Sequence, residues 1–495
     1  MYPDHDVDID AKPPVSANDT MRDLGLSPMI AEMAGNDDFL RGVVVTALFE
    51  MVTDPSVITH RHRAIEDGVR NPETIVAIYN CAFHAQEELR QHLYVTVGRI
   101  SPETHMHRSR SVVKILTHHL RELTNLIRAH RGDFSSDPFR RLFDEVVDTC
   151  DDSYLDRVDR HMNDLEFNHG TLMSGRLGIG NAGTDYLVRK PAHKGFLDRM
   201  RWDPSYSFQI APRDVTGNRF LGELRGRGVR TIAGLVGNAA EELERFFRAL
   251  RWELGFIIGC TRLYGTLADI QGAVCMPTAA RNESGCFSCK DLYDPGLVLH
   301  HRRRVVGNTV SADGHPLVMI TGANQGGKST FLRSVGAAQL MMQAGMPVAA
   351  SSFAAALQTS VRTHFKREED QSMVSGKLDE ELARMSAIVD DLARGALVLF
   401  NESFASTNES EGSDIATDVV RALLESGERV FYVTHMYELA RRFYEEGTGF
   451  FLRPERMRNG TRTFRLEVAP PQATSYGEDL YREIFGTDLY RYSAP

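Results

Sequence analysis

The run Thr321-Gly322-Ala323-Asn324-Gln325-Gly326-Gly327-Lys328-Ser329-Thr330 has the residue types needed to hold an anion. Gly322, Gly326 and Gly327 let the backbone wrap a phosphate with no Cβ in the way. Their N–H groups, with those of Ala323, Asn324, Gln325 and Thr330, would face the anion at the start of a helix. Lys328 supplies a positive charge and Ser329 a hydroxyl for Mg2+, an ion that keeps several of its own waters. Gly-x-x-x-x-Gly-Lys-Ser is a phosphate-binding loop when a strand precedes it and a helix follows. Both flanks are present: Leu317-Val318-Met319-Ile320 is a short apolar run, and Phe331, Leu332, Val335, Ala338 and Leu340 follow at helical spacings. A nucleoside triphosphate, ATP, with Mg2+ is the ligand this loop implies.

Such a loop works with an acidic group at the end of a neighbouring strand. Ala396-Leu397-Val398-Leu399-Phe400-Asn401-Glu402-Ser403 ends that way, but its first polar residue is an amide. Asn401 can accept a hydrogen bond from a metal-bound water, though it carries no charge, so slow hydrolysis is expected. Glu402 is the candidate for polarising the attacking water. A third apolar run, Val430-Phe431-Tyr432-Val433, ends in Thr434-His435. That places an imidazole at the carboxyl edge of a sheet, where ligands bind in open α/β folds, and His435 is the candidate to sense the γ-phosphate or hold the attacking water. Ser375-Gly376-Lys377 and Ser406-Thr407 are candidates for a seam at which a partner subunit completes the nucleotide site.

These residues need a sheet to hold them. Apolar runs at 317–321, 396–400 and 429–433, separated by helical segments, predict a mostly parallel sheet between helices over 296–487. Arg453 to Val468 reads as a hairpin turning at Asn459-Gly460. The preceding residues, 21–295, are predominantly helical. Candidate helices run from Thr74 to Val97, from Val112 to Ala129, and from about 232 to 272. Residues 1–20 read as a loosely attached arm, 273–295 as a connector and 488–495 as a tail. An irregular insertion over about 170–228 is rich in cations, among them Arg189, Lys190, Lys194, Arg199, Arg201, Arg213, Arg219, Arg225 and Arg227, with Arg230 just beyond. It is either a DNA-backbone contact or a solvated loop region.

Composition sets the outer limits. The 495 residues are 42% hydrophobic and 25% charged, with a net charge of −10, so nucleic acid would be met by a local patch and not by a basic surface. No apolar run approaches the length of a membrane span. Six cysteines without a pairing pattern suit a reduced, cytoplasmic protein. Cys286 and Cys289 form a lone C-x-x-C and are read as ordinary thiols. His105, His107, His118 and His119, near Glu103 and Glu122, make no recognised zinc pattern and are read as a solvated helix face.

The motifs together resemble the ATPase domain of the MutS family of DNA mismatch-repair proteins. Thr321-Gly322-Ala323-Asn324-Gln325-Gly326-Gly327-Lys328-Ser329-Thr330 matches the family's T-G-P-N-M-G-G-K-S-T. Val433-Thr434-His435-Met436-Tyr437-Glu438-Leu439 matches its A-T-H-Y-F-E-L, and Ser475-Tyr476-Gly477 its S-Y-G. Asp294-Pro295-Gly296-Leu297 and Val306-Gly307-Asn308 follow its lid region more faintly. The resemblance implies an α plus α/β fold: a helical core-and-lever domain, then an ABC-class ATPase domain that dimerises face to face. It implies an ATPase that binds DNA. The chain departs from the family at Asn401, and Ser375-Gly376-Lys377 is a reduced form of the trans element. Mismatch-reading and connector domains are not expected before residue 21, nor dimerising helices after Ser475-Tyr476-Gly477, and Phe143-Asp144-Glu145 reads as a chance match to the mismatch wedge. The expected target is therefore branched or otherwise shaped DNA in repair or recombination. A nucleotide-switched scaffold for a protein partner is the alternative.

Overall fold

The structure, a computed structural model, describes residues 1–92, 101–167, 171–189, 209–211, 213–280, 285–322, 326–367, 376–456 and 462–472. Ala323, Asn324, Gln325, Ser375, Lys190, Lys194, Arg199, Arg201, the Asn459-Gly460 turn, Ser475-Tyr476-Gly477 and the 488–495 tail lie outside them.

Four helices come first: α1 (Ala17–Asp23), α2 (Ser27–Ala34), α3 (Asp38–Phe49) and α4 (Pro55–Arg70). Then come α5 (Pro72–His92), α6 (Pro102–His130), α7 (Asp137–Thr149) and α8 (Asp152–Asp164). A hairpin of β1 (Leu172–Leu177) and β2 (Gly183–Arg189) precedes α9 (Val215–Ile270). After β3 (Thr278–Ala280) and β4 (Phe287–Leu292) follow α10 (Pro295–His301), β5 (Asn308–Ser311), β6 (Leu317–Ile320) and α11 (Lys328–Gln343). The next elements are β7 (Ser352–Ala356), β8 (Val361–Phe365), α12 (Lys377–Asp390), β9 (Leu397–Asn401) and α13 (Glu409–Ser426). Last are β10 (Arg429–Val433), α14 (Tyr437–Glu445), β11 (Phe450–Arg456) and β12 (Arg462–Val468).

These elements fall into two compact units. The larger takes Met1–Pro72, Ser136–Pro138 and the described residues from Gly255 onward. Its centre is a six-stranded sheet in the order β12-β11-β6-β10-β9-β8. The five strands from β11 to β8 are parallel, and β12 returns antiparallel along the edge. The three apolar runs of the sequence are its middle strands, β6, β10 and β9. A parallel strand is covered on both faces, which is why these runs are apolar throughout and do not alternate. Leu317, Met319, Val398, Phe400, Val430 and Tyr432 share one core with Ala416, Val420, Leu439 and Phe443 of α13 and α14. Within it the rings of Phe400 and Tyr432 stack at 4.9 Å. Helix α11 is buried along most of its length. At Gly336 a Cβ would lie 2.7 Å from side-chain atoms of Leu24 and Leu399, so glycine permits the close approach.

A second sheet, β3-β7-β4-β5, belongs to the same unit. The 273–295 stretch read as a connector therefore contributes β3, β4 and the start of α10. Strands of three to six residues rich in Ala, Ser and Cys carry little strand signal. The amino terminus also differs from the expected loose arm. Val7 and Ala17 are buried, Arg61 stacks over the Tyr2 ring at 4.8 Å, and Arg362 donates to Ser16 Oγ at 2.6 Å. A few apolar contacts and one stacked arginine order a segment whose composition alone suggests none.

The helical unit comprises the described residues of Glu73–Ser135 and Phe139–Leu254. Phe134, Phe139 and Phe143 cluster with ring centroids 4.8–5.5 Å apart, so Phe143 is a core residue, in keeping with a chance wedge match. Arg251 of α9 donates to Gln86 Oε1 at 2.8 Å and lies over Phe83, joining α9 to α5. Two helices begin earlier than their apolar stripes: α6 at Pro102, capped by Ser101, and α9 at Val215. Gly217, Gly222, Gly226 and Gly228 hide the start of α9, because each costs a helix about 1 kcal/mol relative to alanine. Part of the expected 170–228 insertion is thus helical, and β1 with β2 is its strand component. His105, His107 and His118 are exposed as expected, but His119 is buried. No helix among the described residues is long and apolar enough to cross a membrane.

Candidate functional site

The register of the central sheet brings the chemistry together. Leu452 pairs with Ile320, Ile320 with Val433, Val433 with Asn401 and Asn401 with Phe365. Four parallel strands therefore finish level, and Thr321-Gly322, Thr434-His435 and Glu402 emerge side by side at one carboxyl edge. This is the edge at which open α/β sheets bind ligands.

The described part of the glycine loop follows strict local rules. Gly322 and Gly327 hold φ of 112° and 88°, conformations costly for other residues. A Cβ on Gly322 would come within 2.9 Å of Pro454, and one on Gly327 within 3.3 Å of the Phe464 carbonyl. The β11–β12 hairpin therefore backs the loop. Asn308 fixes that hairpin: its Oδ1 accepts from the Leu466 N–H at 2.7 Å and its Nδ2 donates to the Phe464 carbonyl at 3.3 Å.

Lys328 opens α11 and is buried. Its ammonium donates to the Gly322 carbonyl at 2.6 Å. Burial lowers its pKa, and the nearby Glu402 charge opposes that shift. On the next residue, Ser329 Oγ donates to Asn401 Oδ1 at 2.8 Å. The loop and the end of β9 thus meet through the hydroxyl and amide oxygens singled out for Mg2+. Glu402 sits half-buried with φ of 53°, and its N–H donates to the Val433 carbonyl at 2.8 Å. His435 is exposed beside the buried Thr434, whose Oγ1 accepts from the Met436 N–H at 2.9 Å.

A buried polar cluster behind Glu402 carries no sequence signature. The turn after β9 also holds Phe404 at φ of 60°. His364 stacks on Phe404 at 5.2 Å, its Nδ1 contacts Ser403 Oγ at 2.8 Å, and its Nε2 contacts the Glu381 carbonyl at 3.0 Å. Burial, with the Arg384 charge, lowers the His364 pKa to about 4, so the ring is neutral near pH 7. Ser406 Oγ donates to Glu381 Oε1 at 2.9 Å, and the Tyr432 hydroxyl donates to the Ser403 carbonyl at 2.9 Å. Of the two expected seam elements, Ser406-Thr407 is held through Ser406 by α12, while Gly376 and Lys377 begin that helix. A lone histidine in the strand Val361-Arg362-Thr363-His364-Phe365 gives no reason to connect it to residue 403. Cys286 and Cys289, just before and within β4, are not joined in a disulfide.

The chain resembles known proteins both before the site and across it. Residues 53–270 match the MutS2 N-terminal domain, and residues 318–458 match MutS domain V. The chain is 26% identical over 302 residues to an Endonuclease MutS2 of Clostridium novyi, covering 58% of this chain and 36% of that protein. It is 27% identical over 299 residues to the Endonuclease MutS2 of Streptococcus pyogenes serotype M49, covering 57% and 36%. A third, from Streptococcus agalactiae serotype Ia, is 28% identical over 296 residues, with the same coverage. The chain thus spans about a third of the length of the curated relatives it matches.

Proposed function

Since this chain belongs to the MutS family, we propose that it binds and slowly hydrolyses ATP with Mg2+ and couples the nucleotide to DNA of unusual shape. The observation that carries the reading is the Ser329–Asn401 hydrogen bond beside a buried Lys328. A lysine that opens a helix behind glycine-lined backbone puts its positive charge where the loop amides and the helix N-terminus hold a phosphate. The residues fit the ion as well, because hydroxyl and amide oxygens are donors that Mg2+ accepts. Bound Mg2+ would neutralise charge developing on the phosphate oxygens.

The roles follow. Lys328 and the loop amides hold the phosphates. Ser329 is a metal ligand, and Asn401 holds a metal-bound water. Glu402 positions the attacking water, and its fixed backbone limits where the carboxylate can go. His435 reads the terminal phosphate from the next strand. An aspartate at 401 would add one negative charge facing the metal; two opposite charges about 4 Å apart interact by up to ~4 kcal/mol near a protein surface, less through a water. The amide therefore weakens metal coupling and slows hydrolysis while leaving binding intact.

DNA would meet the exposed arginines Arg189, Arg219, Arg225, Arg227 and Arg230 of the helical unit. Two copies would pair through their ATPase faces, with Ser406-Thr407 at the seam. A second reading, a nucleotide-gated scaffold for a protein partner, is favoured by the uncharged Asn401. ATP turnover with and without branched DNA, in the wild type, Glu402→Gln and Asn401→Asp, separates the two. DNA-stimulated turnover lost in Glu402→Gln supports the ATPase. Negligible wild-type turnover, with or without DNA, restored by Asn401→Asp supports the scaffold.

A further inference from the structure

Outside the nucleotide site, one group of side chains in the helical unit has the donors of a metal centre. Cys81 and Glu88 lie two turns apart on α5, and His119 and Glu122 one turn apart on α6. One ligand atom from each of Cys81, His119 and Glu122 lies within 4.8 Å of the others, the one such group among the described residues. His119 is buried, with both ring nitrogens against carboxylates: Nδ1 at 3.1 Å from Glu122 Oε2 and Nε2 at 2.8 Å from Glu88 Oε2. Cys81 Sγ donates to the His119 carbonyl at 3.4 Å, and Glu122 Oε1 lies 3.6 Å from His118 Nε2.

We propose that Cys81, His119 and Glu122 bind a Zn2+ ion between α5 and α6, with Glu88 orienting the imidazole from behind. Each nitrogen–carboxylate contact requires a positively polarised atom between its partners. At Nε2 a proton fills that place and is held by Glu88. At Nδ1 the ion fills it, bonded to the ring nitrogen and to Glu122. A histidine that gives one nitrogen to a metal and the other N–H to a carboxylate is the usual arrangement at such centres. One thiolate, one imidazole and one carboxylate are zinc ligands, and a water completes four-coordination. Bonds of about 2.0–2.3 Å put tetrahedral ligand atoms about 3.3–3.8 Å apart, so ligand atoms within 4.8 Å of one another need to contract by at most roughly 1 Å. Glu122 is exposed on a long side chain and can adjust to the ion. Cys81 gives its proton to solvent and its bond to the His119 carbonyl is replaced by the S–Zn bond.

Titration of the chelator-stripped whole chain with Co2+, a spectroscopic stand-in for Zn2+, tests this. One equivalent should bind with a thiolate-to-cobalt charge-transfer band, and one equivalent of Zn2+ should remove the band. Cys81→Ser should abolish it while far-UV circular dichroism stays unchanged. Glu88→Gln, which leaves all three ligands in place, should keep the band and weaken affinity about ten- to hundredfold. Absence of stoichiometric Co2+ binding by the wild type overturns the proposal. A band that survives in Cys81→Ser also overturns it and places the thiolate elsewhere, as at Cys286 or Cys289.

Discussion

An amide at position 401 changes the charge of the site with little change in its shape, since asparagine and aspartate offer Ser329 the same oxygen. Asn401→Asp is therefore expected to raise Mg2+-dependent turnover about tenfold or more, since each ~1.4 kcal/mol of barrier is tenfold in rate. Single-turnover hydrolysis across a range of Mg2+ concentrations measures it. His364 sets a second expectation. Its folded pKa of about 4 lies below the ordinary 6.5, so the unfolded chain takes up the proton first as pH falls. Stability from this residue is fully present above about pH 6.5 and lost progressively toward pH 4, by about 2 kcal/mol between pH 7 and pH 5. Urea unfolding of wild type and His364→Gln at the two values should differ by that amount, the remaining loss belonging to groups such as His62, whose pKa burial also lowers to about 4. Residues like these divide by how far their partners are in sequence. The places of Asn401, Glu402 and His435 at strand ends are legible because a polar residue ending an apolar run is itself the signal. His364, Glu381 and His119 are not, because their partners come from other elements at no fixed spacing.

At the scale of elements, the apolar strands of the parallel sheet are legible in the sequence and the more polar strands of the second sheet are not. β6, β9 and β10 are buried on both faces and so are apolar throughout, while β3 and β4 lean on neighbours more than on their own side chains. The hairpin that backs the glycine loop is legible as a hairpin, but its contact with Gly327 is not, since contact across more than 130 residues leaves no local trace. Gly327→Ala should cost about 1–2 kcal/mol for its left-handed backbone. It should also weaken nucleotide binding by roughly the same energy, about tenfold, measured by fluorescent-nucleotide titration. Asn308→Ala removes two hydrogen bonds that pin β12 and should lower stability by about 1–3 kcal/mol. Its KM for ATP should rise while the turnover number changes less, because the loop loses its support and not its chemistry.

For the molecule as a whole, a net charge of −10 restricts any DNA contact to a local cationic face. The logarithm of affinity should fall with the logarithm of salt by about 0.9 per phosphate neutralised. Arg225→Gln, Arg227→Gln and Arg230→Gln should each reduce that slope by roughly one if they meet phosphates. ATP with Mg2+ should raise the sedimentation coefficient through dimerisation; an unchanged value at saturating nucleotide would remove the facing-domain arrangement. The two-unit division has a further consequence. Thr363 donates to Asp23 at 2.8 Å, and Arg333 donates to the Asp23 carbonyl at 3.0 Å. Asp23 is made some 340 residues before Thr363. At about 5–20 residues per second, synthesis of that interval takes roughly 20–70 s. The amino-terminal helices are thus made well before the sheet that receives them, and the apolar faces they turn to it stay uncovered until it has been translated.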